Sequence, residues 1–137
     1  MASTAFFQDI NLWGILAAAV AFYALGALWY SPAMFSKPWQ ELVGPPQQKR
    51  TLAEGMIVNA FGTLIAAAGL AVLIVGGGWR NWVDGLGIGA LCGVGFSLTV
   101  LLNGVAYEGR PVNLFFLNAA YQVIGFCLMG AILGAMN

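Results

Sequence analysis

Four long apolar stretches, separated by short polar segments, dominate the pattern of residues along the chain. None of them contains Asp, Glu, Lys or Arg, and each is as long as the roughly 20 residues that cross a bilayer as an α-helix, or longer. Helices are expected because lipid offers no partner to an unpaired backbone group. The stretches are Ile10 to Tyr30, Gly55 to Gly78, Gly85 to Tyr107 and Pro111 to Asn137.

The pattern therefore predicts an all-α integral membrane protein: one four-helix transmembrane domain, residues 1–137, built as two hairpins. Residues that begin and end helices agree with this division. A Thr51-x-x-Glu54 capping box precedes the second stretch, and Pro32 follows the first. The predicted spans cover about residues 10–30, 52–75, 84–107 and 112–135.

The segment from Ser31 to Arg50 is too polar to span a membrane, and it predicts a short helix at the membrane surface between the first two spans. Ser36 is suited to cap such a helix and Gly44 to end it. Trp39 and Leu42 would then lie on one face, against the lipid headgroups. An irregular loop folded beneath the bundle is the alternative.

The amino-acid composition supports the membrane-protein class and argues against several functions. Hydrophobic residues make up 61% of the chain, and five Lys or Arg balance five Asp or Glu, so there is no basic surface for nucleic acid. The chain has no His, the commonest metal ligand and general base. Its two Cys form no zinc or redox motif. We expect no metal, no cofactor and no nucleic-acid partner.

Loop charges predict the orientation of the helices. Four basic residues lie in the two connections that share one side of the membrane: Lys37, Lys49, Arg50 and Arg110. Arg80 lies in the opposite connection, so the positive-inside rule places both termini outside. Tryptophans are expected to anchor the helix ends at the interfaces: Trp13, Trp79 and Trp82 outside, Trp29 and Trp39 inside.

Two groups of residues carry a resemblance to a known family. The first is the run Gly26-Ala27-Leu28-Trp29-Tyr30-Ser31-Pro32, followed by Phe35, Lys37 and Trp39; the second comprises Asn118, Tyr121, Gly130 and Leu133. Together they resemble DUF1761, a small bacterial family of four-span membrane proteins catalogued as a domain of unknown function. The resemblance implies four spans and a bacterial membrane setting, and it brings no catalytic residues. The predicted location is the bacterial inner (cytoplasmic) membrane.

Uncharged polar residues within the spans form the first candidate site. At 1.5 Å per residue, three carboxamides in spans 2, 3 and 4 lie roughly 6 to 10 Å from the inner boundary, which predicts that these spans meet there. The cluster would bind a small neutral or zwitterionic ligand or a lipid headgroup. Alternatively, it forms interhelical hydrogen bonds that fix register. Its members are Tyr30, Asn59, Asn103, Asn118 and Gln122.

Small residues four apart form the second candidate site, a helix-packing face. Such faces let helix backbones approach closely in a membrane. The sequence leaves open whether this face packs within the chain or against another chain. It comprises Gly85, Gly89, Gly93 and Ser97 in span 3, with Gly130 and Gly134 in span 4.

The predicted function is that of a non-enzymatic membrane protein acting through helix packing, as a homo-oligomer or as an accessory subunit of a larger complex. None of the four apolar stretches contains Asp, Glu, Lys or Arg, which disfavours proton-coupled or ion-coupled transport. There is also no constellation of nucleophile, base and orienting group. The alternative function is passive transport, or binding of a small neutral ligand or lipid at the polar cluster.

Overall fold

The computed structural model describes residues 10–43, 52–79 and 81–137. These ranges fold into helices and contain no strand, and four of the helices are long and apolar enough to cross a membrane. The predicted class, an all-α protein with four transmembrane helices, is confirmed. The helices are α1 (Leu12–Trp29), α2 (Ser36–Val43), α3 (Leu52–Gly77), α4 (Trp82–Tyr107) and α5 (Val112–Met136).

Local sequence explains where these helices begin and end. The Asn11 side chain accepts a hydrogen bond from the Trp13 amide at 3.0 Å and caps α1. Gly78 ends α3 with φ of +78°, a backbone conformation that favours glycine. The helix predicted to begin near Ser36 is present as α2. Thr51 of the predicted capping box and the predicted stop at Gly44 lie outside the described residues.

Helix α4 is not α-helical throughout, because Gly93–Ser97 forms one turn of π-helix. In this turn the Leu98 amide donates to the carbonyl oxygen of Gly93, five residues earlier. Before the turn, α4 packs tightly along α5, whereas after it the two helices leave a cavity lined by both. The sequence analysis did not predict this turn.

Helix α5 lies at the centre of the packing. It contacts α1, α3 and α4 and also the short helix α2. Span α1 packs on α3, whereas α3 and α4 contact each other only marginally. The most deeply buried large side chains, Ile74, Met129 and Leu133, come from α3 and α5.

Polar contacts join α1 to α5 at both ends of the bundle. At one end, the Asn11 amide donates to Asn137 Oδ1 at 2.8 Å, and the Asn11 side chain donates to the Met136 carbonyl oxygen at 3.1 Å. At the other end, the Tyr30 hydroxyl donates to Asn118 Oδ1 at 2.7 Å. We call this second end, where α1 and α4 end and α5 begins, the Tyr30 end.

Candidate functional site

The predicted polar cluster contains one direct contact, the hydrogen bond between Tyr30 and Asn118. Tyr30 follows the last residue of α1, and Asn118 lies two turns into α5. The Tyr30 ring packs edge-on against Trp39 of α2 and against Tyr121 of α5, with ring centroids 5.5 and 5.3 Å away. The two rings restrict the Tyr30 side chain, and its hydroxyl lies within hydrogen-bonding distance of the Asn118 carboxamide.

Asn118 and Asn103 line a common cavity of about 400 Å³ between the second half of α4 and the first turns of α5. We call it the α4–α5 cleft. Asn103 is exposed and Asn118 is half-buried. The remaining lining residues are Val100, Leu101, Gly104, Val105, Tyr107, Glu108, Arg110, Leu114 and Phe115.

An ion pair lies at the Tyr30 end of the cleft. Arg110 Nε and Glu108 Oε2 are 3.1 Å apart, and each side chain is more than half exposed, at 57% and 61%. The Gly104 carbonyl oxygen accepts the backbone amides of both residues, at 3.2 and 3.1 Å. Between the two, Gly109 has φ of +68°, which turns the chain back toward α4. The two charged side chains are thus held over the end of α4.

Gly104 makes room for this ion pair. A Cβ atom at this position would lie 3.1 Å from Arg110 Cδ and 3.4 Å from Glu108 Oε2. A larger side chain would therefore displace the pair from the cleft. The sequence analysis did not include Gly104, Glu108 or Arg110 in the candidate cluster. Glu108 and Arg110 lie beyond the end of the apolar stretch, and Gly104 has no polar side chain.

Gln122 and Asn59 lie outside the cleft lining. Gln122 is half-buried one helical turn beyond Asn118, whereas Asn59 is exposed on α3. The sequence predicts that spans 2, 3 and 4 meet at the depth of these carboxamides, but in the structure the Asn59 side of span 2 does not join the other two. Helix α3 instead turns its buried side, which includes Thr63 and Ala67, toward α1 and α5, and this leaves Asn59 on the opposite surface.

The predicted helix-packing face lies inside the bundle. A Cβ atom at Gly85 would overlap the carbonyl oxygen of Gly130, and one at Gly89 would overlap that of Phe126. Gly93 and Gly134 are likewise buried between α4 and α5, while Ser97 is half-buried in the π-turn. The glycines bring two helix backbones into direct contact within one chain.

A second glycine series faces away from the bundle. Gly55, Gly62 and Gly69 recur every seven residues along α3, are exposed, and have nothing within 4 Å of an added Cβ atom. The sequence analysis missed them because it searched for small residues four apart. The seven-residue spacing, which returns to nearly the same helix face, was the available signal.

The predicted tryptophan anchors occupy different environments. Trp13, Trp79 and Trp82 are exposed, as residues facing headgroups would be, and Trp39 is half-buried. Trp29 is buried, at 9% exposure. The turn after α1 folds Phe35 back onto Trp29, with ring centroids 4.7 Å apart, so Trp29 belongs to the packed interior.

Among the described residues, no group of three or more Cys, Asp and Glu lies close enough together to hold a metal ion. The family model described as "Protein of unknown function (DUF1761)" matches residues 13–134. No curated protein and no solved structure matches the chain.

Proposed function

The chain belongs to the DUF1761 family, and on that premise we propose that it is a non-catalytic integral membrane protein that acts through helix packing. It would do so as a homo-oligomer or as an accessory subunit of a larger membrane complex. The proposed location is the bacterial inner membrane, with both termini outside. The loop charges support this orientation, because four of the five basic residues lie in the connections on one side.

The observation that carries the proposal is the exposed glycine series of α3. Gly55, Gly62 and Gly69 form a shallow track on the side of α3 that α1 and α5 leave open. Lipid tails are as apolar as a helix surface, so association in a bilayer depends on close packing rather than on hydrophobic burial. A glycine track allows a second helix to approach the α3 backbone closely.

Asn59 lies on this same face, four residues after Gly55 and three before Gly62. Its side chain forms no hydrogen bond within the described part of the chain, although its carbonyl oxygen accepts from Thr63 Oγ1 at 2.8 Å. An exposed carboxamide in a span is costly without a partner. A hydrogen bond from a neighbouring helix would satisfy it, with a contribution averaging about 0.6 kcal/mol.

The α4–α5 packing supports placing the interface on α3. The ridge Gly85, Gly89 and Gly93 is already covered by α5, so it offers no surface to another chain. The seven-residue repeat on α3 also differs in geometry from this four-residue ridge. A repeat of seven suits a left-handed crossing of about 20°.

The test compares Gly62→Leu with Gly87→Leu. Both glycines are exposed within transmembrane helices and have open space around them, but Gly87 lies on α4. We expect Gly62→Leu to abolish self-association, measured by energy transfer between labelled chains in liposomes, while Gly87→Leu leaves it intact. A wild-type chain that associates only with other proteins shows no energy transfer by itself. The second assay therefore extracts native membranes with a mild detergent and asks whether the wild-type chain, Gly62→Leu and Gly87→Leu each elute in a particle larger than the monomer. A strictly monomeric wild-type chain in both assays would refute the proposal.

A further inference from the structure

The α4–α5 cleft combines charged, amide and apolar groups in one concavity. Its volume of about 400 Å³ lies within the range of small-molecule sites. It reaches from the Glu108 and Arg110 pair, beyond the last turn of α4, to Val100, two turns deeper in the span. The cleft therefore crosses from the headgroup level into the apolar part of the bilayer.

The ion pair offers both charge signs at a single place. Arg110 and Glu108 are more than half exposed, and an exposed ion pair contributes little to folding. Each side chain retains further hydrogen-bonding capacity, because a guanidinium has five donors and a carboxylate about four acceptor sites. A ligand that carries an anion next to a cation can pair with both residues, whereas a purely anionic ligand meets the carboxylate of Glu108.

The two carboxamides supply uncharged donors below the ion pair. Asn118 Oδ1 accepts from Tyr30, which leaves the Asn118 amino group to donate to another acceptor. Asn103 is exposed, and its side chain forms no hydrogen bond within the described ranges. Ester and phosphate oxygens are acceptors that suit both amino groups.

The deeper wall of the cleft is apolar and open to lipid. Val100 is 68% exposed on the surface of the span, and Leu101, the next residue in the chain, also lines the cleft. A soluble zwitterion leaves this wall unused, whereas the first carbons of an acyl chain pack against it. The apolar wall thus favours a lipid over a free headgroup.

We infer that the α4–α5 cleft binds one zwitterionic phospholipid, with its phosphate at Arg110, its ammonium at Glu108 and its glycerol esters at Asn103 and Asn118. The apolar wall receives the first part of an acyl chain. This inference is independent of the oligomerisation proposed for α3, because the two surfaces lie on different helices.

The test titrates the purified full-length chain in detergent with phosphatidylethanolamine and with phosphatidylglycerol of the same acyl chains, and counts bound lipids by native mass spectrometry. We expect one phosphatidylethanolamine per chain, bound more tightly than phosphatidylglycerol. Arg110→Gln and Glu108→Gln should each weaken this binding about tenfold, as expected for loss of a charge-assisted contact. Gly104→Leu, which displaces the ion pair, should weaken it as well.

Lys37→Gln and Asp84→Asn are the matched controls, since each removes one exposed charge outside the cleft, and both should bind lipid as the wild type does. Equal or tighter binding of phosphatidylglycerol would overturn the inference, and that comparison needs no variant. Wild-type affinity in both Arg110→Gln and Glu108→Gln would overturn it too. Displacement of the lipid by an equal concentration of glycerophosphoethanolamine would overturn the assignment to a lipid and identify a free headgroup as the ligand.

Discussion

The Tyr30 hydroxyl and the Asn118 carboxamide form a side-chain hydrogen bond between α1 and α5, 2.7 Å long and partly buried. We expect Tyr30→Phe to lower the free energy of unfolding by about 0.5 to 1 kcal/mol, because it leaves Asn118 without this donor. Tyr23→Phe is the matched control, since the Tyr23 hydroxyl is exposed and lies 3.4 Å from its acceptor. Denaturant titration in mixed micelles measures both, and equal losses would contradict a specific role for Tyr30.

Trp29 stabilises the bundle through the packing of its ring rather than through a hydrogen bond from its indole N–H. Its Nε1 is buried and has no hydrogen-bond partner among the described residues, while its ring packs on Phe35 and Tyr121. We expect Trp29→Phe to retain the stability of the wild type, because it removes an unpaired donor along with some packing area. Trp29→Ala should cost about 3 kcal/mol or more. Thermal unfolding measures both variants. If Trp29→Phe lowers the stability as much as Trp29→Ala does, the indole N–H has a hydrogen-bond partner.

Residue type alone did not separate Trp29 from the other tryptophans. All five are amphipathic rings that are expected at the membrane interfaces, and four of them are exposed or half-buried in the structure. The burial of Trp29 depends on the turn 30–35, which returns Phe35 to the end of α1 through a hydrogen bond from the Phe35 amide to the Trp29 carbonyl oxygen. A tertiary contact of this kind is not encoded in the hydropathy of either residue.

Contact between α4 and α5 depends on the absence of side chains at specific glycines. We expect Gly89→Ala to destabilise the bundle by about 1 to 3 kcal/mol, because the added Cβ meets the carbonyl oxygen of Phe126 and the two backbones must separate. Gly87→Ala, two residues earlier and facing open space, should change stability by less than about 1 kcal/mol. Unfolding of the two variants side by side checks this, and similar losses would argue against the close contact.

The number and type of the transmembrane helices were predictable, because hydropathy, capping residues and glycine turns are local properties of the chain. Helix partners were not predictable in the same way. The glycine series on α4, four residues apart, and the one on α3, seven residues apart, each follow one helix face, yet the first is covered by α5 and the second is open. The packing of the whole bundle decides the direction in which a helix face points. The π-turn in α4 changes the local geometry further, and no residue type in Gly93–Ser97 predicts it.

The candidate cleft was predictable in part. Depth along the helices placed Asn103 and Asn118 at one level, and both line the α4–α5 cleft, because α4 and α5 are joined by a short turn and run side by side. Depth carries no information about rotation around a helix axis. Asn59 has a matching depth and faces away from the cleft, so only the packed structure distinguishes it from the other two.

At the scale of the whole molecule, the predicted orientation can be tested with impermeant thiol reagents. In a background with Cys92 and Cys127 replaced by Ala, we expect Val83→Cys to react in intact bacterial cells and Lys37→Cys to react only after permeabilisation. Both parent residues are exposed, and α4 begins at the end opposite to the one where α1 ends. The reverse labelling pattern would place the termini on the cytoplasmic side.

The central position of α5 has a consequence for biosynthesis. Because α5 follows the other helices in the chain, α1, α3 and α4 leave the ribosome before the helix against which they pack exists. A nascent chain arrested before residue 112 would keep the contact between α1 and α3, while α4 would have almost none of its partners and would present the bare backbone at Gly85 and Gly89 to lipid or to a membrane chaperone. Assembly of the bundle is therefore expected to wait for the last helix rather than to proceed one helix at a time.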